Sequence, residues 1–113
     1  MATVALHQIA YARSGDKGSS ANVGVIARSD AAYRVLKERL TADTVATFFR
    51  RLPVTRVDRF EMDNLGALNF VLHDVLEGGG SVSLRIDAQG KALGQAILDL
   101  ELEVPESFED QLT

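Results

Sequence analysis

The sequence predicts an α+β fold in which about five strands form one sheet with three helices on one face, and three observations carry this. Two apolar, strand-like runs flank a polar segment at residues 13–24 near the start. Runs at helical spacing, each with a start or stop signal, occupy the middle. Near the end Leu98, Leu100, Leu102 and Val104 alternate with Asp99, Glu101 and Glu103.

In chain order, residues 3–12 (TVALHQIAYA) are rich in β-branched and aromatic side chains and read as a first strand, and residues 22–28 (NVGVIAR) as a second, buried one. The glycine-rich stretch between them is expected to be a loop. Ser29 or Asp30 caps a helix over AAYRVLKERL, where Ala32, Val35, Leu36 and Leu40 recur on one face while Arg34, Lys37 and Glu38 meet water. Thr41 starts a short second helix with Val45, Phe48 and Phe49 as its apolar face, and Pro53 follows its end. Residues 54–62 read as a strand of open register. Asn64 is expected to cap a third helix carrying Leu65, Leu68, Phe70, Val71, Leu72, Val75 and Leu76, stopped by Gly78-Gly79-Gly80. SVSLRID, a turn at residues 88–91 and the alternating run then predict a hairpin. The expected order is β-β-α-α-β-α-β-β, with the domain at residues 1–105 and an acidic, solvated tail at 106–113.

With 113 residues, the chain fits one domain and buries roughly two thirds of the surface that its unfolded form exposes. It has no cysteine, so disulfides, thiolate nucleophiles and cysteine metal sites are excluded, and no apolar run approaches the ~20 residues of a membrane helix. The N-terminus lacks the pattern of a secretory signal, which points to a cytoplasmic protein. A net charge of −4, from 12 basic and 16 acidic groups, argues against a nucleic-acid partner. Arg50, Arg51, Arg56 and Arg59 surround Pro53, either as a contact for an acidic group or as a solvated helix end and strand face.

The segment Arg13 to Gly24 concentrates the candidate chemistry. Its glycines permit close backbone approach, and Arg13, Asp16, Lys17, Ser19, Ser20 and Asn22 supply charges, donors and acceptors. Lys17 is a candidate to hold a carboxylate or phosphate, Asp16 to act as a base, and the backbone N–H groups near Gly15 and Gly18 to form an anion nest. Alternatively, Asp16 and Asn22 tie the loop to itself. GDKGSS matches no phosphate-binding or dinucleotide fingerprint, and Ser14 lacks the G-x-S-x-G setting of a nucleophile elbow. No cofactor is therefore expected. Asn69 and His73, four apart, share one face of the expected third helix and, if that face meets the 13–24 segment, add an amide and an imidazole to the site; for each histidine, His7 in the first strand and His73 alike, the alternative is a hydrogen-bonded structural role. Two histidines without a carboxylate cluster make no recognisable metal site.

Three segments, ARSGDKGSSANVGV, ALNFVLHDVLEGGG and SLRIDAQGKALGQAIL, resemble in this order the AtuA-like domain of acyclic terpene utilisation proteins, over nearly all of residues 4–103. The resemblance implies a ferredoxin-type α+β module, here in the separate small-chain form, in the catabolism of branched, terpene-derived or related acyl-CoA. Arg13, Ser14, Gly15, Asp16, Lys17, Gly18, Asn22, Asn69 and His73 fall in the recurrent strings, without assigned roles; the Ser19-Ser20 pair departs from the acidic or polar residue expected after Gly18. The reading that follows is a small subunit that docks on a large AtuA-type chain and contributes to a shared lyase- or hydratase-type site for an acyl-CoA or carboxylate. Asp16, Lys17 and His73 are the catalytic candidates, and Arg13, Ser14, Gly15, Gly18, Asn22 and Asn69 the substrate-binding ones. The alternatives are a structural module that self-associates, and a stand-alone small hydrolase or lyase using His73 with Asp16 or Ser14.

Overall fold

A computed structural model describes residues 2–75 and 92–106, with Lys17 described by its backbone alone. In chain order the elements are β1 (Ala2–Ala5), a 3₁₀ turn (Leu6–Gln8), β2 (Ala10–Lys17), β3 (Ser20–Ala27), α1 (Asp30–Arg39), α2 (Ala42–Phe48), β4 (Arg56–Met62), a second 3₁₀ turn (Asp63–Leu65), β5 (Ala67–His73), α3 (Leu93–Ile97) and β6 (Glu101–Val104). The α+β class and its ferredoxin-like character stand. Among the described residues, however, the strands form two antiparallel sheets instead of one, a four-stranded sheet in the order β2-β3-β5-β4 and a two-stranded pair of β1 with β6.

Three expectations are corrected by this arrangement. First, residues 3–12 are not one strand. Leu6 and Ile9 are both fully buried, three residues apart, and the 3₁₀ turn that this spacing needs is closed by the Ala5 N–H donating to Gln8 Oε1 at 2.8 Å. The N–H groups of Leu6 and His7 donate to the carbonyls of Leu100 and Leu98, so His7 stands exposed on that turn and not in a strand. Second, residues 13–24 form a hairpin in place of a loop, because Ala21, Val23 and Val25 point inward with a period of two. Lys17 pairs with Ser20, and Gly18, at φ +64°, supplies the left-handed residue that the two-residue turn requires.

Third, the helix expected over residues 65–76 is strand β5. Its Leu68, Phe70 and Leu72 are fully buried, with Asn69, Val71 and His73 on the opposite face. Instead of an Asn64 cap there is the second 3₁₀ turn, ended by Gly66 at φ +60°. Among the described residues a third helix lies later, at α3, where a direct hairpin into residues 98–104 is expected from the sequence; β6 finds its partner in β1, with Ala2 opposite Val104. Gly78 to Gly80, the SVSLRID run, the turn at residues 88–91 and the tail from residue 107 lie outside the described residues.

The two helices with local signals form where the sequence places them. Ser29 Oγ accepts the Ala32 N–H at 3.1 Å to start α1, and Thr41 Oγ1 accepts the Thr44 N–H at 3.1 Å to start α2. Ala32, Leu36 and Val45 from these helices join the inward residues of β3 and β5 in one core. Arg59 of β4 reaches the far end of α1, where its guanidinium donates to the carbonyls of Lys37 at 3.0 Å and Leu40 at 2.9 Å, groups that a helix C-terminus leaves without partners. Of the other arginines around Pro53, Arg50 donates to the Thr47 carbonyl and Arg56 turns to Asp58, while Arg50 and Arg51 line one cleft with Phe48, Phe49 and Leu52.

α3 comes closest to the sheet at Gly94. A Cβ at that position would stand 3.0 Å from the Arg13 carbonyl carbon and 3.1 Å from the Ser14 nitrogen, both backbone atoms. Glycine is required here by contact with β2, and the Gly94 N–H donates to Ser14 Oγ at 3.1 Å.

Candidate functional site

Strand register sorts the candidate residues between the two faces of the four-stranded sheet. Directly opposed residues in antiparallel strands point to the same side. Arg13 pairs with Gly24, Gly24 with Asn69, and Asn69 with Phe60, which makes one row across all four strands. The next row is Gly15, Asn22, Val71 and Asp58, and the row on the other side is Tyr11, Ile26, Ala67 and Met62. Since Val23, Val25, Leu68, Phe70 and Leu72 fill the core from the other face, these rows form the outer face. It is an exposed surface, with Tyr11 54%, Phe60 52% and Met62 39% accessible.

Five of the nine candidates, Arg13, Gly15, Asn22, Asn69 and His73, thus share the outer face. Ser14 and Asp16 occupy the alternate positions. Ser14 is engaged with Gly94 of α3, and Asp16, although exposed, is in register with Ala21, which is buried in the core face. Neither is brought to His73, so the pairing of His73 with Asp16 or Ser14 is not formed.

On the outer face, Asn22 Nδ2 donates to Asn69 Oδ1 at 3.4 Å across the gap beside Gly24. Gly15 fits closely against this pair, since a Cβ there would stand 3.2 Å from Asn22 Oδ1. His73 sits four residues along β5 from Asn69, about 13 Å away at the strand rise. There its Nε2 lies 2.8 Å from Asp58 Oδ2, and Arg56 approaches both, with its NH2 nitrogen 3.2 Å from His73 Nε2 and from Asp58 Oδ2. The hydrogen bond with His73, aided by the Arg56 guanidinium, holds the Asp58 carboxyl below the usual carboxylate range. Beyond β5, Asp74 takes up a positive φ of 65° and is held by Thr55, Ser19 and Ser20, its N–H donating to Ser20 Oγ at 3.3 Å.

Sequence reasoning missed Asp58 and Arg56 as partners of His73. The signal was the register of residues 54–62, which places Arg56 opposite His73 and leaves Asp58 one step along the same face. A second ionic cluster lies away from the candidates. Tyr33 donates to Asp63 Oδ1 at 2.6 Å, Lys37 stands 3.1 Å from the same carboxylate, and partial burial followed by the Asp63 hydrogen bond pushes the Tyr33 phenol up to about 12. Two clefts of about 350 and 340 Å³, one beside the start of α1 and one at Phe48 to Leu52, include none of residues 13–24. Among the described residues there is no cluster of three or more metal-ligating side chains, and no helix is long and apolar enough to cross a membrane.

The fold and this face define a small α+β module of ferredoxin-like type with an exposed antiparallel sheet surface. Residues 4–103 match the model of the AtuA ferredoxin-like domain, and the chain belongs to that family. No curated protein and no solved structure matches it.

Proposed function

We propose that this chain acts as a small subunit or accessory domain of an AtuA-type assembly, docking on a larger chain through the outer face of its four-stranded sheet and adding polar groups to a shared site for an acyl-CoA or carboxylate in branched, terpene-derived acid catabolism. One observation carries the reading. Tyr11, Phe60 and Met62 are exposed on the same face that presents Arg13, Asn22, Asn69 and His73. Phe60 and Met62 stand side by side on β4, and Tyr11 faces the same way from the opposite edge with Arg28 over its ring; exposed apolar side chains of this kind suit a contact surface, and a shallow face gains depth when a second body closes over it. Family membership fits a larger partner of AtuA type.

The catalytic candidates in this scheme remain Lys17 at the hairpin end and His73 beside Asp58, with Asp16 at the same hairpin end but at an alternate position, facing away from the side that carries His73. Activity of the assembled complex tests them. Lys17→Ala, Asp16→Ala and His73→Gln should each lower turnover at least tenfold if the group takes part in the reaction. Unchanged turnover in all three leaves the module a docking role alone. The exposed aromatic face also supports a second reading, a non-catalytic oligomerisation module in which this surface meets another copy. Intact mass of the purified chain separates the two, since that reading requires a stable homo-oligomer that Phe60→Asp dissociates.

A further inference from the structure

One nitrogen of His73 lies within hydrogen-bond distance of two groups of opposite kind. Nε2 stands 2.8 Å from Asp58 Oδ2, which only accepts, and 3.2 Å from the Arg56 NH2 nitrogen, which only donates. It can serve one of them. The guanidinium is already engaged by the carboxylate, with its Nε 3.2 Å from Asp58 Oδ1 and its NH2 nitrogen 3.2 Å from Oδ2, a side-on pair of bonds. A ring without hydrogen on Nε2 would set its lone pair against the carboxylate at the shorter of the two distances. The proton therefore sits on Nε2 and is donated to Asp58, and in the neutral ring the lone pair is on Nδ1.

Nδ1 is the ring atom left open. The hydrogen bonds of His73 all use Nε2, and no buried side-chain nitrogen or oxygen among the described residues lacks a partner, so Nδ1 is within reach of solvent. The backbone that carries the ring is fixed on both sides. The His73 carbonyl accepts the Thr55 N–H at 3.0 Å. Asp74, the next residue, is kept at a φ of 65° by Thr55 Oγ1 at 2.5 Å and by its own N–H donating to Ser20 Oγ at 3.3 Å, a conformation that residues with a side chain adopt only where their surroundings impose it. Arg56 balances the charge of Asp58, so the carboxylate orients the ring without requiring an imidazolium.

We infer that Asp58 and His73 form a base dyad, in which Asp58 positions the ring as its Nε2–H tautomer and Nδ1 takes a proton from a substrate lying on the outer face. In that step the Nδ1 lone pair forms the new N–H bond, and the electron pair of the broken bond stays on the substrate. The imidazolium faces the carboxylate 2.8 Å away until the proton is returned. The lowered Asp58 carboxyl keeps that acceptor ionised. The inference rests on the reading that His73 takes part in the reaction, and it narrows the reaction to one that begins by proton transfer to imidazole. Of the two substrate classes in that reading, an acyl thioester suits it better, because the hydrogen beside a thioester carbonyl is more acidic than that beside a carboxylate.

Two readings on the full chain test the dyad, with Asp58→Asn as the variant that keeps the shape of the side chain. Long-range ¹H–¹⁵N NMR, at a pH where both histidines are neutral, should show His73 with its hydrogen on Nε2 and its lone pair on Nδ1. In Asp58→Asn, Arg56 retains the oxygen, the amide turns its NH₂ to Nε2, and the tautomer should invert. Diethyl pyrocarbonate, which acylates the lone-pair nitrogen of a neutral imidazole, should label His73. Asp58→Asn should slow that labelling at least threefold while leaving the exposed His7 unchanged as an internal reference. A ring held only as a clasp between β4 and β5 responds in the opposite sense, since breaking the clasp exposes it. A lone pair on Nε2 in the wild type, no labelling of His73, or labelling that Asp58→Asn speeds or leaves unchanged overturns the dyad. Should the variant lose its dispersed resonances, the two wild-type readings decide alone. Docking is read separately, by capture of the large chain. The expected tautomer and labelling without capture remove the docking reading and leave the dyad, and capture with the lone pair on Nε2 does the reverse.

Discussion

Replacing Gly94 with alanine tests the packing that holds β2 in place. The added methyl would stand 3.0 to 3.2 Å from three backbone atoms of Arg13 and Ser14, whereas carbon contacts are comfortable at about 3.5–4.0 Å. Backbone on both sides cannot swing away as a side chain would, so α3 must retreat by roughly half an ångström. Overpacking of this kind costs about 1–3 kcal/mol. The retreat also stretches the Gly94 N–H to Ser14 Oγ bond, now 3.1 Å, worth about 1 kcal/mol, while alanine regains about 1 kcal/mol of helix propensity. The net expectation is a loss of about 1–3 kcal/mol, or about 4–12 °C in Tm. Urea unfolding measures it as a lower midpoint at constant slope. Ser14→Ala should cost about 1 kcal/mol alone and add less than that on top of Gly94→Ala, because the hydrogen bond is already disturbed. A midpoint for Gly94→Ala at or above that of wild type would refute the close-approach argument.

Gly24→Ala is expected to have the opposite sign, raising stability by about 0.4–1 kcal/mol in the same urea assay, because the site admits a methyl and the unfolded chain loses freedom. Arg59→Met removes both bonds to the end of α1 from a side chain only 18% exposed and should cost about 2 kcal/mol; a change below about 0.5 kcal/mol would remove Arg59 as a cap. The lowered Asp58 carboxyl stabilises the fold above the unfolded aspartate range near 4 and loses that contribution as pH falls through its own, lower value; in His73→Gln its NMR titration midpoint should rise toward the ordinary range. The raised Tyr33 phenol stabilises the fold below about pH 10 and ceases to do so as pH climbs through about 12, so Tyr33→Phe should delete the late step from the ultraviolet tyrosinate titration.

Elements with local signals were legible in the sequence. Ser29 and Thr41 announce α1 and α2 because a cap is a contact within three residues. β5 was not, since its apolar residues at 68, 70, 71 and 72 serve a helix face and a buried strand equally well, and the choice is made by β3 and β4 on either side. The glycines of residues 13–24 suggested a loop, yet only Gly18 makes the turn; Gly15 and Gly24 sit in strands with the outward polar residues. Asn69 and His73 were placed on one face for the wrong reason, because residues four apart share a face in a strand as they do in a helix. Asp58 could not be paired with His73 while the register of residues 54–62 was open, for that contact exists only between correctly aligned strands.

The most direct test of the outer face as the working surface is recovery of the tagged full chain from its native cells, with captured proteins identified and the complex weighed intact by mass spectrometry. Wild type and Arg34→Glu, altered on the solvent side of α1, should bring down a large AtuA-type chain at fixed stoichiometry, and Phe60→Asp should lose it at least tenfold. Equal capture by Phe60→Asp, or a chain found only by itself, would contradict the assignment of this face to a larger partner.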